Sequence, residues 1–103
     1  MRTNLSQLEL FLLSALVAKE RYGLEIIEVI EDATGRKGIL SLGSLYATLH
    51  RMEKKGFITS RWGETVAPRQ GARRRYYRLT ALGQEALRET QRVLVTLLRL
   101  APT

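Results

Sequence analysis

A chain of 103 residues with two prolines and no cysteine is one small domain, with no disulfide framework, no thiolate metal site and no cysteine nucleophile. Hydrophobic residues make up 45% and charged residues 26%, a balance that folds around one modest core rather than staying disordered. The net charge of +7 is unevenly placed: residues 41–80 hold nine basic and two acidic side chains, residues 1–40 hold five and six, and no acidic residue occurs between Glu64 and Glu85. That asymmetry points to a localised polyanion-binding face, against the plainer alternative of a solvated charged loop.

From Leu5 to Lys19, apolar residues at 5, 8, 12, 15 and 16 make a helical stripe, and Leu10, Leu13 and Val17 add a second side. This first helix is therefore expected to be covered on both sides. Its apolar run is broken by Glu9 and Ser14, too short to span a bilayer, and lacks a signal-peptide pattern, so a cytoplasmic protein without a membrane partner is expected. Tyr22-Gly23 marks a break. Leu24, Ile26, Ile27, Val29 and Ile30 then form a second helix ending near Gly35, whose acids Glu25, Glu28, Glu31 and Asp32 make it a poor candidate to lie on DNA.

Ser41 can cap a third helix, on which Leu45, Leu49 and Met52 share one face while Gly43, Ala47, His50 and Lys54 lie opposite, with Tyr46 and Arg51 at the edges. Gly56 supplies a left-handed end. FITSRW and RRYYRL (residues 57–62 and 74–79) alternate as strands, joined through a loop containing Pro68 and Gly71. Alternation groups Ile58 with Trp62 and Tyr77 with Leu79. Thr80 can cap a last helix from Ala81 to about Leu100.

Three helices, a basic hairpin and a last helix describe a mainly α protein with a small two-stranded β-hairpin wing. This is a winged helix-turn-helix (residues 1–80) followed by a C-terminal dimerisation helix (residues 81–103). The third helix is the candidate recognition helix, for the major groove of double-stranded DNA. Small residues at its start, Gly43, Ser44 and Ala47, allow close approach to a phosphate backbone. Ser41 and Ser44 can donate to phosphates, Tyr46 can meet a phosphate or a thymine methyl, and His50 and Lys54 extend the contact. The alternative is a surface helix whose serines merely cap it. Arg73, Arg74 and Arg75 belong to the wing, pinned by the Tyr77–Leu79 strand so that fixed charge reaches phosphates at little ordering cost.

A single histidine without cysteine disfavours a metal site, and Ser41, Ser44 and Ser60 have no convincing base and orienting acid, so no catalytic residue and no cofactor is assigned. Trp62 is open to two readings, a ligand-stacking platform or a core and wing-packing residue. On the last helix, Leu87, Leu94 and Leu98 form one stripe with Ala101, and Ala86, Val93, Leu97 and Leu100 another. That exceeds what one small body covers. With Leu5, Leu8 and Leu12 of the first helix, Leu87, Leu94, Leu97 and Leu98 are the expected homodimer interface, against a terminal helix folded back on its own chain.

The segments YGLEIIEVI, LSLGSLYATLHRMEKKGFI and RRRYYRLTALG, in this order and covering nearly all of the chain, resemble the PadR family of transcriptional regulators. The resemblance implies a dimeric winged-helix protein, usually a repressor, on an inverted-repeat operator. It places Ser41, Gly43, Ser44 and Tyr46 on DNA-facing positions and the wing arginines on the family's basic wing; Tyr22 completes the expected DNA contacts. The residue after the signature tyrosine, commonly proline in the family, is Ala47 here. Some small members hold planar aromatic compounds with a tryptophan on the last helix, but residues 81–103 contain no aromatic residue, so that mechanism does not carry over and any small-molecule effector is left unassigned. A winged-helix protein-interaction module without specific DNA binding remains the alternative, and a metal or redox sensor is disfavoured by the missing sulfur ligands.

Overall fold

The computed structural model describes residues 5–63, 73–100 and 102. Its elements in chain order are α1 (Gln7–Ala15), β1 (Arg21–Tyr22), α2 (Gly23–Thr34), α3 (Leu42–Lys54), β2 (Ile58–Trp62), β3 (Arg75–Leu79) and α4 (Ala81–Leu98). The expected hairpin loop with Pro68 and Gly71, and Ala101, expected on the apolar stripe of the last helix, lie outside the described residues.

Helix α1 is shorter than the expected Leu5–Lys19. Ser6 caps it: its hydroxyl accepts the Glu9 N–H at 3.2 Å, and Glu9 accepts the Ser6 N–H at 2.9 Å. This reciprocal box of Ser-x-x-Glu satisfies two orphan donors of the first turn. At the other end, Arg21 Nε donates to the Ala15 carbonyl at 2.7 Å, meeting an acceptor the helix leaves open.

Helix α2 begins directly after β1, where Glu25 accepts the Tyr22 N–H at 3.2 Å, and it stops at Gly35. Helix α3 is capped by Ser41, whose Oγ accepts the Ser44 N–H at 3.1 Å. Gly56 follows it at φ 81°, a left-handed conformation that glycine adopts without a β-carbon penalty. Thr80 links the hairpin to α4, donating to the Gly56 carbonyl at 2.6 Å and accepting the Gly83 N–H at 3.0 Å.

The two expected strands are present, and a third joins them. The antiparallel sheet has the order β1-β3-β2, with Arg21 opposite Tyr77, Tyr22 opposite Tyr76, and Ile58 opposite Leu79 through Trp62 opposite Arg75. Two residues are too few for alternation to show, so β1 left no periodic signal.

Leu12, Leu13, Ile26, Leu45, Leu49 and Met52 are fully buried, with Ile58, Tyr77 and Leu87 around them. At about 1.5–3 kcal/mol for each large aliphatic side chain removed from water, this single cluster dominates the favourable side of folding. It also corrects two expected dimer residues. Leu12 and Leu87 are consumed by the chain's own core, because α1 lies among α2, α3 and the first half of α4. The stripe of α1 that holds Leu12 thus needs no second chain there. Leu5 and Leu8 are half-buried against the same cluster.

Beyond Thr90 the picture reverses. Every residue from Gln91 to Leu100 is exposed, including Val93, Leu94, Val95, Leu97, Leu98 and Leu100, and Leu98 keeps 72% of its surface. Helix α4 therefore starts inside the body and leaves it as an apolar rod. No helix among the described residues is long and apolar enough to cross a membrane.

Candidate nucleic-acid interface

Helix α3 buries Leu45, Thr48, Leu49 and Met52 and turns Gly43, Ser44, Tyr46, Ala47, His50 and Lys54 outward. The 3.6-residue repeat forces this division, since the apolar residues fall on one face. Ser41 uses its oxygen as an acceptor for the cap, which leaves the hydroxyl proton for a further acceptor. Thr48 is turned in by its bond to the Ser44 carbonyl at 2.7 Å.

Tyr46 is half-exposed and leans over the start of α2. A β-carbon on Gly23 would collide with the Tyr46 hydroxyl and stand 3.0 Å from its Cζ and 3.3 Å from Leu45 Cδ2. The glycine after Tyr22 thus lets Tyr46 lie directly on the start of α2, a position that any β-carbon there would make its ring give up. Its neighbour Tyr22 packs edge-on against Tyr76 at 5.6 Å between ring centres, with the planes at 78°.

The wing arginines lie on aromatic rings. The guanidinium carbon of Arg74 is 4.6 Å from the centre of Tyr22; those of Arg73 and Arg75 are 5.9 and 5.3 Å from Trp62; that of Arg61 is 5.0 Å from Tyr76. Each is within cation–π range. Arg73 Nε also donates to the Gly63 carbonyl at 3.3 Å, and the Gly63 N–H to the Arg74 carbonyl at 2.6 Å, which closes the hairpin base. Arg61 pairs with Glu20, whose carboxyl that guanidinium holds below the usual range.

Trp62 packs in the wing and not in the core. It shares strand parity with the buried Ile58, yet 53% of its surface is exposed, because β2 runs beyond the helical body into the wing. There it is the flat surface against which two arginines lie. Trp62, Tyr76 and Gly23 were not among the expected site residues; the interleaving of aromatics and arginines in RRRYYR was the available signal.

Tyr22, Gly23, Leu24, Tyr46, Trp62, Arg73, Arg74, Arg75 and Tyr77 together line an open groove of about 480 Å³. The fold therefore brings Tyr22, Tyr46 and the three wing arginines to one place. Ser41, Gly43, Ser44, His50 and Lys54 lie on the exposed side of α3 but do not line the groove. Behind α3, Glu9 is buried and receives Arg51 Nε at 3.1 Å, with Lys55 Nζ at 3.6 Å. Burial pushes its carboxyl up, but the Ser6 N–H, Arg51 and Lys55 outweigh that and hold it below its ordinary value. Among the described residues, no cluster of His, Asp or Glu could hold a metal ion.

The chain matches the model of the transcriptional regulator PadR-like family over residues 12–89. It is 35% identical to an uncharacterized protein X of Lysinibacillus sphaericus over 82 residues, 80% of this chain and 72% of that protein. Among solved structures, a PadR family transcription regulator from Clostridium difficile is 29% identical and superposes with a TM-score of 0.71, covering 87% of this chain and 88% of that one. Bacillus subtilis PadR in complex with operator DNA shares the fold at 22% identity and a TM-score of 0.73, over 84% of this chain and 47% of that chain. The winged-helix body, its basic hairpin and the match through both place this chain in the PadR-like family of transcriptional regulators, a regulator and not an enzyme.

Proposed function

We propose that the protein is a dimeric, sequence-specific DNA-binding repressor of the cytoplasm that reads an inverted-repeat operator. The observation that carries this is the shared groove of Tyr46, on the recognition helix, and Arg73, Arg74 and Arg75, on the wing. A helix that turns small polar residues outward beside fixed cations suits a duplex, whose phosphates set register while base edges set sequence. The operator-bound Bacillus subtilis relative, of the same fold, supports the reading. Ser41, Gly43, Ser44, Tyr46, His50 and Lys54 make the helix contacts in this account, with Tyr22 at the groove wall.

Residues 1–80 act as the DNA-binding unit and residues 81–103 as the dimerisation helix. The contact runs through the outer half of α4, where Leu94, Leu97 and Leu98 are exposed, with Leu5 and Leu8 available at the edge of α1. A two-fold pair presents two recognition helices about one DNA turn apart, roughly 34 Å. Selection of bound duplexes from a random pool tests this directly. The expected product is a palindrome with half-site centres roughly 10 base pairs apart; recovery of no enriched sequence would instead favour the protein-interaction module.

A further inference from the structure

Three side chains at the base of the wing come from three elements: Glu53 from α3, Ser60 from β2 and Arg75 from β3. The Ser60 hydroxyl donates to Glu53 Oε2 at 2.6 Å. Arg75 Nε donates to Ser60 Oγ at 3.0 Å, and its Nη2 lies 3.6 Å from Glu53 Oε1. The three close a ring that spans the recognition helix and both wing strands, with Trp62 flanking the guanidinium. Because Ser60 accepts from Arg75 while donating to Glu53, the direction of its proton is fixed by its neighbours.

This treats Arg75 differently from the arginines beside it. Among the described residues, neither Arg73 nor Arg74 lies within ion-pair distance of a carboxylate; their contacts are a carbonyl and aromatic rings, which leave the charge uncompensated. Arg75 already has a carboxylate. A guanidinium so partnered gains less from a phosphate, while a wing fixed at its base loses less freedom when DNA binds.

We propose that Glu53, Ser60 and Arg75 form a positioning tie that sets the wing against the recognition helix, and that Arg75 acts on DNA through this tie rather than as a phosphate ligand. The inference rests on the DNA-binding reading above. Its consequence has an unexpected sign. Glu53 is an anion on a helix that approaches a polyanion, so electrostatics alone makes Glu53→Gln bind DNA more tightly. The tie requires the opposite, because losing the carboxylate frees the wing.

The test is fluorescence anisotropy on the selected duplex across a salt series, for full-length wild type, Glu53→Gln, Arg75→Gln, the double variant and Ser60→Ala, all well below their melting temperatures. Ser60→Ala removes one oxygen and no charge, so it reports on the tie even where a charge change disturbs folding. Glu53→Gln, Arg75→Gln and Ser60→Ala should each weaken binding by at least about threefold, and the double variant should be little worse than either single one. The slope of log K against log salt should not change in Arg75→Gln. Equal or tighter binding by Glu53→Gln together with unchanged binding by Ser60→Ala overturns the tie, as does a slope that falls by about 0.9, one phosphate, in Arg75→Gln. If wild type recovers and binds no duplex at all, the DNA-binding reading fails and takes the tie with it.

Discussion

The wing and the outer half of α4 are both exposed, and they are built in opposite ways. In the wing, charged side chains are held by the chain itself: Arg74 on Tyr22, Arg73 on Gly63 and Trp62, Arg75 on Ser60 and Glu53. On α4, the segment Val93 to Leu100 exposes leucines and valines with only Thr96 and Arg99 among them, and the surface pair of Arg92 and Glu89 lies just before it. Pre-ordered charge suits a partner that brings many phosphates and little shape of its own. An unpartnered apolar rod suits a partner that brings the same rod. On the proposed reading, DNA therefore meets the first end and a second copy the other.

The largest expected effect breaks the apolar end alone. Leu94→Glu with Leu98→Glu places charge where two rods would meet, but both positions are exposed in one chain, so the domain should stay folded. Sedimentation should show a monomer with intact helical circular dichroism. Operator affinity should drop by roughly a hundredfold or more, since the second half-site no longer binds within the same particle. A double variant that still sediments as a dimer would place the interface elsewhere.

A smaller effect should follow on the charged end. Tyr46→Ala or Ser44→Ala should weaken operator binding by about 1–3 kcal/mol, the value of one good specific contact, with the dimer unaffected. Gly23→Ala sharpens the same point, because its methyl group must push Tyr46 off the start of α2. Its effect on stability should be small, because the atom displaced is the tip of a half-exposed side chain, while operator binding should weaken along with Tyr46→Ala. Thermal melting combined with anisotropy separates the two effects; binding equal to wild type would remove Tyr46 from the contact.

The smallest effect lies behind both ends. Glu9→Gln should cost roughly 1–2 kcal/mol of stability at neutral pH, the loss of charged hydrogen bonds to a buried carboxylate. The carboxyl is held below its ordinary 4.5, so its contribution is complete above that value and is lost as pH falls through the lower folded one. Melting curves for wild type and Glu9→Gln should therefore converge as acidification passes the lowered value of the Glu9 carboxyl. A constant gap would mean that packing, not charge, makes the difference.

Much of this architecture was legible in the sequence because it is periodic. Leu45, Leu49 and Met52 recur at helical spacing and are buried; Thr80 and Ser41 sit where caps belong and cap. What escaped has no period. Strand β1 is two residues long and exists only because β3 supplies its partner. Alternation put Trp62 beside Ile58, but strand parity says which side a residue takes, not how far the strand outruns the core. The apolar count on α1 and α4 was right as a count. It could not divide Leu12 and Leu87, spent within the chain, from Leu94 and Leu98, left outside it, because that division depends on where α4 leaves the body. In the groove, RRRYYR advertised charge and aromatic rings, while Gly23 and Tyr46, twenty-three residues apart, meet only through the packing of α2 on α3.

The central claim is that cations fixed on aromatic rings at the wing meet DNA phosphates, and salt dependence measures this most directly. Anisotropy titrations of wild type and of Arg73→Ala with Arg74→Ala, on the selected duplex, give the slope of log K against log salt. At ~0.9 per phosphate, the double variant should lose nearly 2 units for each wing engaged. An unchanged slope with the fold and dimer intact would take the wing out of the interface and contradict the account.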